Sequence, residues 1–203
     1  MSSSASLVEW AVAARPLQGD VSGDGYWIAL TADDAWVAVI DGLGHGPEAE
    51  EATLTAKRAL EQMPRDDLPA LVRRCHQALR RTRGVAISLA QLSGTDQTMR
   101  WLGVGNVEAI LIRASAAAEP AKEHLLMRPG VVGYELPQLR TATLSIQPGD
   151  HLLLATDGIS TGFDVQLVRY ENPKQNADRI LAQSGKANDD ALVLVLRYLG
   201  RSQ

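Results

Sequence analysis

The order of the predicted elements constrains the fold of this chain most strongly. One helical pattern covers residues 47–62, residues 63–65 interrupt it, and a second runs to about residue 82 after a cap at Asp66 or Asp67. Short β-rich runs lie on both sides of this helical pair. A βαβ sheet would need strands alternating with single helices, so this order does not fit one. We therefore predict an α+β fold, a β-sandwich of two antiparallel sheets flanked by helix pairs in αββα layers.

Turn residues divide the rest of the chain into short strands. Residues 26–31 and 35–40 are predicted to form a hairpin. Residues 85–92, 98–104 and 107–113, separated by turn residues, indicate an antiparallel meander. Further strands are predicted at residues 7–13, 125–127, 141–146, 151–155 and 192–198, and a third helix at 173–184.

Composition limits the class of protein. The chain has 203 residues, 45% of them hydrophobic, which is enough for one domain spanning residues 1–203. Its formal net charge of −4 argues against a nucleic-acid partner. The single cysteine, Cys75, excludes an intramolecular disulfide and favours a reducing compartment. No apolar run reaches the 18 residues of a membrane span, and the N-terminal MSSSAS lacks a signal-peptide pattern. We expect a monomeric, cytoplasmic protein with no membrane partner.

The densest basic stretch lies on the second predicted helix and just beyond it. It contains Arg73, Arg74, Arg80, Arg81 and Arg83. A solvated helix face explains such a stretch, because charged side chains cover the exposed side of an amphipathic helix. A docking surface for an acidic partner is the alternative interpretation, and the sequence leaves both open.

Four aspartates lie where apolar strand-like runs meet loops. They are Asp24, Asp41, Asp157 and Asp189. A carboxylate at the end of a buried strand is held rigidly and partly out of water. Two such charges about 5 Å apart repel by roughly 3 kcal/mol at an effective dielectric near 20. Four converging on one point would need cations between them, so this pattern predicts a two-metal site.

Other interpretations of these motifs exist. Asp-Gly is also a strong hairpin signal, and for Asp24 the turn interpretation stays open. It is poor for Asp41, because a helix follows, and for Asp157, because no alternating run follows. The run DGLGHG could instead bind phosphate at a helix N-terminus, but it lacks the Gly-Lys-Ser/Thr end of a P-loop. His45 within it is either a plain loop residue or a catalytic group.

Four motifs in order carry a resemblance to a known family. VSGDGY, VIDGLGHGPEA, LLLATDGI and NDDALVLVLR resemble the motifs of the metal-dependent PPM (PP2C-like) serine/threonine phosphatases. The likeness runs from about residue 8 to residue 199. It is greatest to the short SpoIIE/RsbX-like branch of bacterial phosphatases, and to the RsbX-like members that give feedback control of the stressosome. Four motifs in order, each on the expected strand or loop, are far more specific than a single Asp-Gly.

The resemblance implies a role for each matched residue. Asp41 would bridge two metal ions, and the carbonyl of Gly42 would bind one of them. Asp157 and Asp189 would hold the other, and Asp24 would lie by the second metal largely through bound water. Hard oxygen ligands favour Mn²⁺ or Mg²⁺. A water shared by the ions would attack the phosphorus of phosphoserine or phosphothreonine in line, without a covalent enzyme intermediate.

The chain departs from the family pattern at the general acid and at the substrate arginine. Larger members have a histidine directly after the metal-binding Asp-Gly, where this chain has Leu43 and then His45 two positions further on. Water could serve in its place. Motif register assigns the last ligand to Asp189, with Asp190 as the fallback. The nearest candidate for a phosphate-binding arginine is Arg15.

The resemblance also implies a partner. We expect specificity to come from docking a folded protein, with residues 114–121 and 129–137 bordering the surface. The implied substrates are phosphorylated STAS-domain proteins of a stressosome, in feedback control of bacterial stress signalling. One alternative is a non-catalytic binding module that kept the fold. The other is a phosphatase of a different phosphorylated STAS protein, an anti-anti-sigma factor of another pathway.

Overall fold

The computed structural model describes residues 6–62 and 67–201, which contain ten strands and three α-helices. The strands are β1 Val8–Arg15, β2 Asp24–Leu30, β3 Asp34–Gly42, β4 Val85–Ser93, β5 Thr98–Val104, β6 Glu108–Ile112, β7 Lys122–His124, β8 Ala142–Ser145, β9 His151–Ala155 and β10 Ala191–Tyr198. The helices are α1 Pro47–Glu61, α2 Leu68–Ala78 and α3 Pro173–Ser184. The predicted interruption at residues 63–65 and the predicted cap Asp66 lie outside the described residues.

The strands form two five-stranded antiparallel sheets that pack face to face. One sheet has the order β1, β10, β9, β6, β7, and the other has the order β2, β3, β4, β5, β8. Helices α1 and α2 pack on the outer face of the second sheet. Helix α3 and a short 3₁₀ turn, Phe163–Gln166, cover the outer face of the first. The αββα prediction is confirmed, with one α-helix and a 3₁₀ turn as the second outer layer.

Strand β3 shows why the sequence forms this sandwich. Val37 and Val39 lie in the apolar layer between the sheets, where they join Leu194 of β10. Ala38 and Ile40 lie on the opposite face, under α1 and α2. A strand buried on both faces has a continuous apolar run, and burying each large aliphatic side chain contributes about 1.5–3 kcal/mol. Within the described residues, no helix combines the length and the apolar character needed to cross a bilayer.

Two short connections carry the chain between the sheets. Gly105, with φ +96°, and Asn106 link β5 to β6, and residues 147–150 link β8 to β9. The predicted meander is therefore wrong in its third strand, because β4 pairs with β5 but β6 pairs with β9 and β7. A Cβ on Gly105 would lie 2.4 Å from the Cβ of Ala86, so only glycine lets the chain leave the second sheet here.

Most of the other predicted elements agree with the structure to within a few residues. The predicted strand at residues 125–127 is wrong, since the edge strand is Lys122–His124, paired with β6. Helix α2 ends at Ala78, earlier than predicted, and residues 79–82 form a turn in which Thr82 donates to the carbonyl of Leu79. Asp67 occupies the N-cap position of α2, but its side chain makes no capping hydrogen bond.

Glycines allow close packing at one end of the sandwich. A Cβ on Gly158 would lie 1.8 Å from the carbonyl oxygen of Asp190, and one on Gly42 would lie 2.2 Å from the carbonyl oxygen of Ala49. The loop after β9 thus packs directly on the start of β10. The end of β3 packs in the same way on the first turn of α1.

Gly158→Ala is expected to destabilise the protein by about 3 kcal/mol or more, because the added methyl group would displace a backbone carbonyl. Gly162→Ala is the matched control. Gly162 has φ +79° with no atom within 4 Å of the added Cβ, so only the left-handed backbone is strained, at about 1 kcal/mol. Urea denaturation of both variants measures the difference. Equal losses would show that the close approach at Gly158 does not limit stability.

Candidate metal centre

The second sheet contributes two aspartates that face each other across a strand pair. Asp24 is the first residue of β2, and Asp41 is the residue before the end of β3. The register of the two strands places them directly opposite. Like charges at directly opposite positions of an antiparallel pair destabilise it. This pair of carboxylates therefore needs a compensating interaction.

The first sheet contributes two more aspartates at the same end of the sandwich. Asp157 follows β9, and Asp189 precedes β10. These strands are neighbours, with Ala155 paired to Val193, so the two loops adjoin. The close contact between Gly158 and Asp190 holds them together.

Thr156 connects the carboxylates of the two sheets. Its hydroxyl donates a 2.7 Å hydrogen bond to Oδ2 of Asp24 and accepts a 3.0 Å hydrogen bond from the backbone N–H of Leu192. Thr156 is buried and lies between β9 and β10 in the chain. One side chain therefore fixes the position of Asp24 relative to the loop that contains Asp157.

Burial and mutual repulsion raise the pKa values of Asp24, Asp41 and Asp189. Burial raises the pKa of Asp41 to about 8, and the charges of the neighbouring aspartates, Asp24 first, add to the effect. Burial also raises the pKa of Asp24 to about 7, against the opposing effect of the Thr156 hydrogen bond. The pKa of Asp189 is raised as well, by burial first and by the charge of Asp157 next. The aspartates are thus close enough to repel one another.

Three of the four aspartates line one open cleft. The cleft has a volume of about 360 Å³. Its polar wall contains Asp41, Asp157, Asp189, Asn106 and Asn188. The glycine-rich loop after β3 supplies the rest of the lining, including Leu43 and His45. Asp24 does not line the cleft. Its carboxylate accepts the Thr156 hydrogen bond, and the residue lies opposite Asp41, which does line the cleft.

The donor set fits a hard divalent cation, although the aspartates do not converge on a single point. Over residues 6–62 and 67–201, no three acidic, histidine or cysteine side chains form a ready-made metal-binding group. Like charges approach one coordination point only when a cation offsets their repulsion. All the candidate ligands are oxygens, and Asp24 and Asp41 are partly buried with strongly raised pKa values. Oxygen donors suit Mg²⁺ or Mn²⁺, and a bound cation would offset the burial and repulsion that raise these pKa values.

Asp189 and Asp190 have different surroundings. Both carboxylate oxygens of Asp190 accept backbone N–H groups, Leu17 at 2.6 Å and Gly23 at 2.8 Å, and the residue is only 4% exposed. Asp189 lines the cleft. The structure therefore favours Asp189 as the candidate ligand and gives Asp190 the role of anchoring the segment before Asp24.

Sequence reasoning missed three polar residues around the site. Asn106 donates a 2.7 Å hydrogen bond to Oδ2 of Asp157, and Lys186 donates a 2.5 Å hydrogen bond to the backbone carbonyl of the same residue. Thr156 is the third. The only signal for Thr156 was its position directly before Asp157. Asn106 has the pattern of an ordinary turn residue. The candidate Arg15 is exposed and donates to the carbonyl of Lys186.

Known proteins resemble this chain in sequence. The family model of Stage II sporulation protein E (SpoIIE) matches residues 31–199. Phosphoserine phosphatase RsbX of Bacillus subtilis (strain 168) is 26% identical over 142 residues, which is 69% of this chain and 68% of that protein.

Solved structures share the fold. A chain from a structure of the bacterial stressosome, described as a modular system adapted to control secondary messenger signalling, has a TM-score of 0.85 and 28% identity, covering 94% of this chain and 99% of that one. RsbX in complex with magnesium has a TM-score of 0.83 and 22% identity, covering 94% and 95%. The PP2C domain of SpoIIE from Bacillus subtilis has a TM-score of 0.74 and 21% identity, covering 97% and 63%.

The stability of the metal-free protein is expected to fall as the pH rises from 5 to 8. The folded-state pKa values of Asp24 and Asp41, about 7 and about 8, lie above the ordinary value of 3.8, so the folded state binds more protons than the unfolded state in this window. Their contribution to the free energy of unfolding is complete below pH 4. As the pH rises to the folded-state pKa values, it is lost at up to about 1.4 kcal/mol per pH unit for each group.

Denaturation in EDTA at several pH values measures this slope. Asp41→Asn should flatten it, and so should added Mn²⁺. Asp96→Asn, at an exposed loop position, is the control and should keep the wild-type slope. An unchanged slope in Asp41→Asn would mean that this carboxylate is not held in a destabilising environment.

Proposed function

The chain belongs to the SpoIIE family of PP2C-like phosphatases, and from this premise we propose that it is a metal-dependent protein phosphatase acting on phosphoserine or phosphothreonine. The observation that carries the proposal is the grouping of Asp24, Asp41, Asp157 and Asp189 at one end of the sandwich, with raised pKa values for three of them. The similarity to a phosphoserine phosphatase supports it. We propose one such domain over residues 1–203.

We propose that two Mn²⁺ or Mg²⁺ ions bind at this site. Asp41 would contact both ions, the Gly42 carbonyl and Asp24 would serve one of them, and Asp157 and Asp189 would hold the other. When bound, the ions supply an activated water nucleophile and offset charge on the phosphoryl group.

The remaining side chains of the site position its ligands. Asn106 fixes one oxygen of Asp157 and leaves the other free for the cleft. Thr156 fixes one oxygen of Asp24 by donating a hydrogen bond to it. We assign proton delivery to the leaving serine oxygen either to His45, which lines the cleft, or to water. Leu43 lines the cleft but has no proton to give.

The proposed substrates are phosphorylated STAS-domain proteins of a stressosome, dephosphorylated in the cytoplasm as feedback control of a stress response by a monomeric enzyme. The 28% identity to a chain from a stressosome structure and the similarity to RsbX support this choice. A phosphatase of another phosphorylated STAS protein, an anti-anti-sigma factor, would use the same site. A non-catalytic binding module is disfavoured, because all four aspartates are present.

Phosphate release from a phosphoserine STAS-domain protein should be absent in EDTA and restored by Mn²⁺. Asp41→Asn should reduce turnover at least about 100-fold while the protein stays folded, because a ligand charge is lost and no core volume changes. Asp96→Asn should retain wild-type turnover. Release of phosphate in EDTA, or wild-type turnover in Asp41→Asn, would exclude the two-metal mechanism.

Asp189→Asn should change the metal requirement, whereas Asp190→Asn should change the stability. Asp189→Asn should raise the Mn²⁺ concentration needed for half-maximal turnover about 10-fold or more, with no loss of stability. Asp190→Asn should lower the free energy of unfolding by about 2 kcal/mol, because one of two charge-assisted hydrogen bonds to backbone N–H groups is lost. Manganese titration and urea denaturation of both variants measure the two effects. The reverse pattern would make Asp190 the ligand.

A further inference from the structure

Two exposed arginines occupy the turn between α2 and β4. We call residues 79–84 the arginine turn. Arg80 and Arg81 are exposed, and neither has an ion-pair partner in the described part of the chain. The protein as a whole has a net charge of −4. This turn is therefore a local concentration of uncompensated positive charge on an acidic protein.

The arginine turn adjoins the loop that contains the cleft residues Leu43 and His45. The backbone N–H of Leu43 donates a 3.1 Å hydrogen bond to the carbonyl of Gly84. The guanidinium of Arg83 lies against Gly44 and forms an ion pair with Glu48 in the first turn of α1. Arg83 thus fixes the turn to this loop with its charge already paired, and the exposed Arg80 and Arg81 lie four and three residues before Gly84.

A second segment is bound to the residues that flank this turn on both sides. Val132 exchanges two 2.9 Å backbone hydrogen bonds with Val85, and the N–H of Gly133 donates to Nδ1 of His76 at 3.0 Å. Tyr134 at the tip of this loop is 84% exposed. Residues 114–121, which were also expected to border a docking surface, lie beyond Ile112 at the far end of β6, and they do not adjoin the cleft.

We propose that Arg80 and Arg81 bind an acidic segment of the substrate protein that flanks the phosphoserine, an inference that rests on the proposed phosphatase function. Charge complementarity identifies the segment, because two unpaired guanidinium groups attract carboxylates and repel basic sequence. Gly84 is three positions after Arg81 in the chain, a span of at most about 11 Å. An extended peptide covers that span in three to four residues. The acidic side chains should therefore lie about three to five positions from the phosphoserine.

Exposed Tyr134 is consistent with a protein contact at this place. Arginine and tyrosine are both enriched at protein interfaces, where the guanidinium contributes charge and the ring contributes contact area. The aspartates of the cleft repel an acidic segment, whereas the arginine turn attracts it. The surface would thus orient the substrate chain so that its phosphoserine enters the cleft and its acidic flank lies on Arg80 and Arg81.

Two synthetic phosphoserine peptides of equal length test this surface. One has Asp and Glu three to five positions from the phosphoserine on both sides, and the other has Asn and Gln there. Wild-type protein with Mn²⁺ should favour the acidic peptide about fivefold in kcat/KM at low salt, because two exposed ion pairs are each worth about 0.5 kcal/mol. The preference should decline at high salt. Fluorescence anisotropy of the labelled peptides gives Kd independently of turnover.

Arg80→Ala/Arg81→Ala should abolish the preference for the acidic peptide in both kcat/KM and Kd. Hydrolysis of p-nitrophenyl phosphate should not change, since that substrate has no flank. Arg80→Lys/Arg81→Lys should keep most of the preference, because the charge remains. The matched control is Arg169→Ala/Arg201→Ala, which removes two exposed arginines at the opposite end of the sandwich, beside Arg113 and Asp33, and should behave as wild type.

A preference that persists in Arg80→Ala/Arg81→Ala, or an equal loss with both peptides, would overturn the docking proposal while leaving the phosphatase function intact. Arginine-dependent binding of the acidic peptide without hydrolysis of any substrate would overturn the phosphatase function and retain the acidic docking surface. Thermal unfolding of each variant shows that the substituted proteins are folded.

Discussion

Repulsion among partly buried carboxylates is the constraint on which the functional end of this sandwich depends. Asp24 and Asp41 are direct neighbours across β2 and β3, and burial raises their pKa values to about 7 and about 8. The surrounding structure holds them in place against this repulsion. Thr156 fixes Asp24, Asp190 anchors the segment before it, and close glycine contacts fix the loops. A site built in this way loses stability without cations and gains it with them.

The sequence was sufficient to predict the layers of the fold and to select four aspartates that the structure places at one end of the sandwich. Both depend on local patterns, since apolar runs mark buried strands, and three Asp-Gly motifs and one Asp-Asp pair mark strand ends. It was insufficient to place β6, because Gly105-Asn106 has the same appearance in a hairpin and in a crossover between sheets. The contacts of the positioning residues Asn106 and Thr156 could also not be predicted from the sequence. Asn106 and Asp157 are 51 residues apart, and Thr156 and Asp24 are 132 apart.

The adjacent residues Asp189 and Asp190 show why residue type alone does not define a site. Motif register preferred the first, but only the surroundings distinguish them physically. Two backbone N–H groups already satisfy the carboxylate of Asp190, and a metal ion would have to compete with both. Asp189 lines the cleft, and its carboxylate interacts with the backbone N–H of the next residue, Asp190. The surrounding backbone therefore gives two identical side chains different environments.

The candidate metal centre and the proposed docking surface of this molecule have charges of opposite sign. The cleft is lined by carboxylates, so it attracts the phosphoryl group only through cations, and it repels an acidic protein segment. The Debye length at physiological salt is about 8 Å, so the charges of Arg80 and Arg81 act locally, on a segment bound at the arginine turn. The arginine turn is joined to the cleft loop through the Leu43–Gly84 hydrogen bond. Substitution of the aspartates should therefore change the metal dependence of the activity, and substitution of the arginines should change its salt dependence. The two contributions can thus be measured separately in one enzyme.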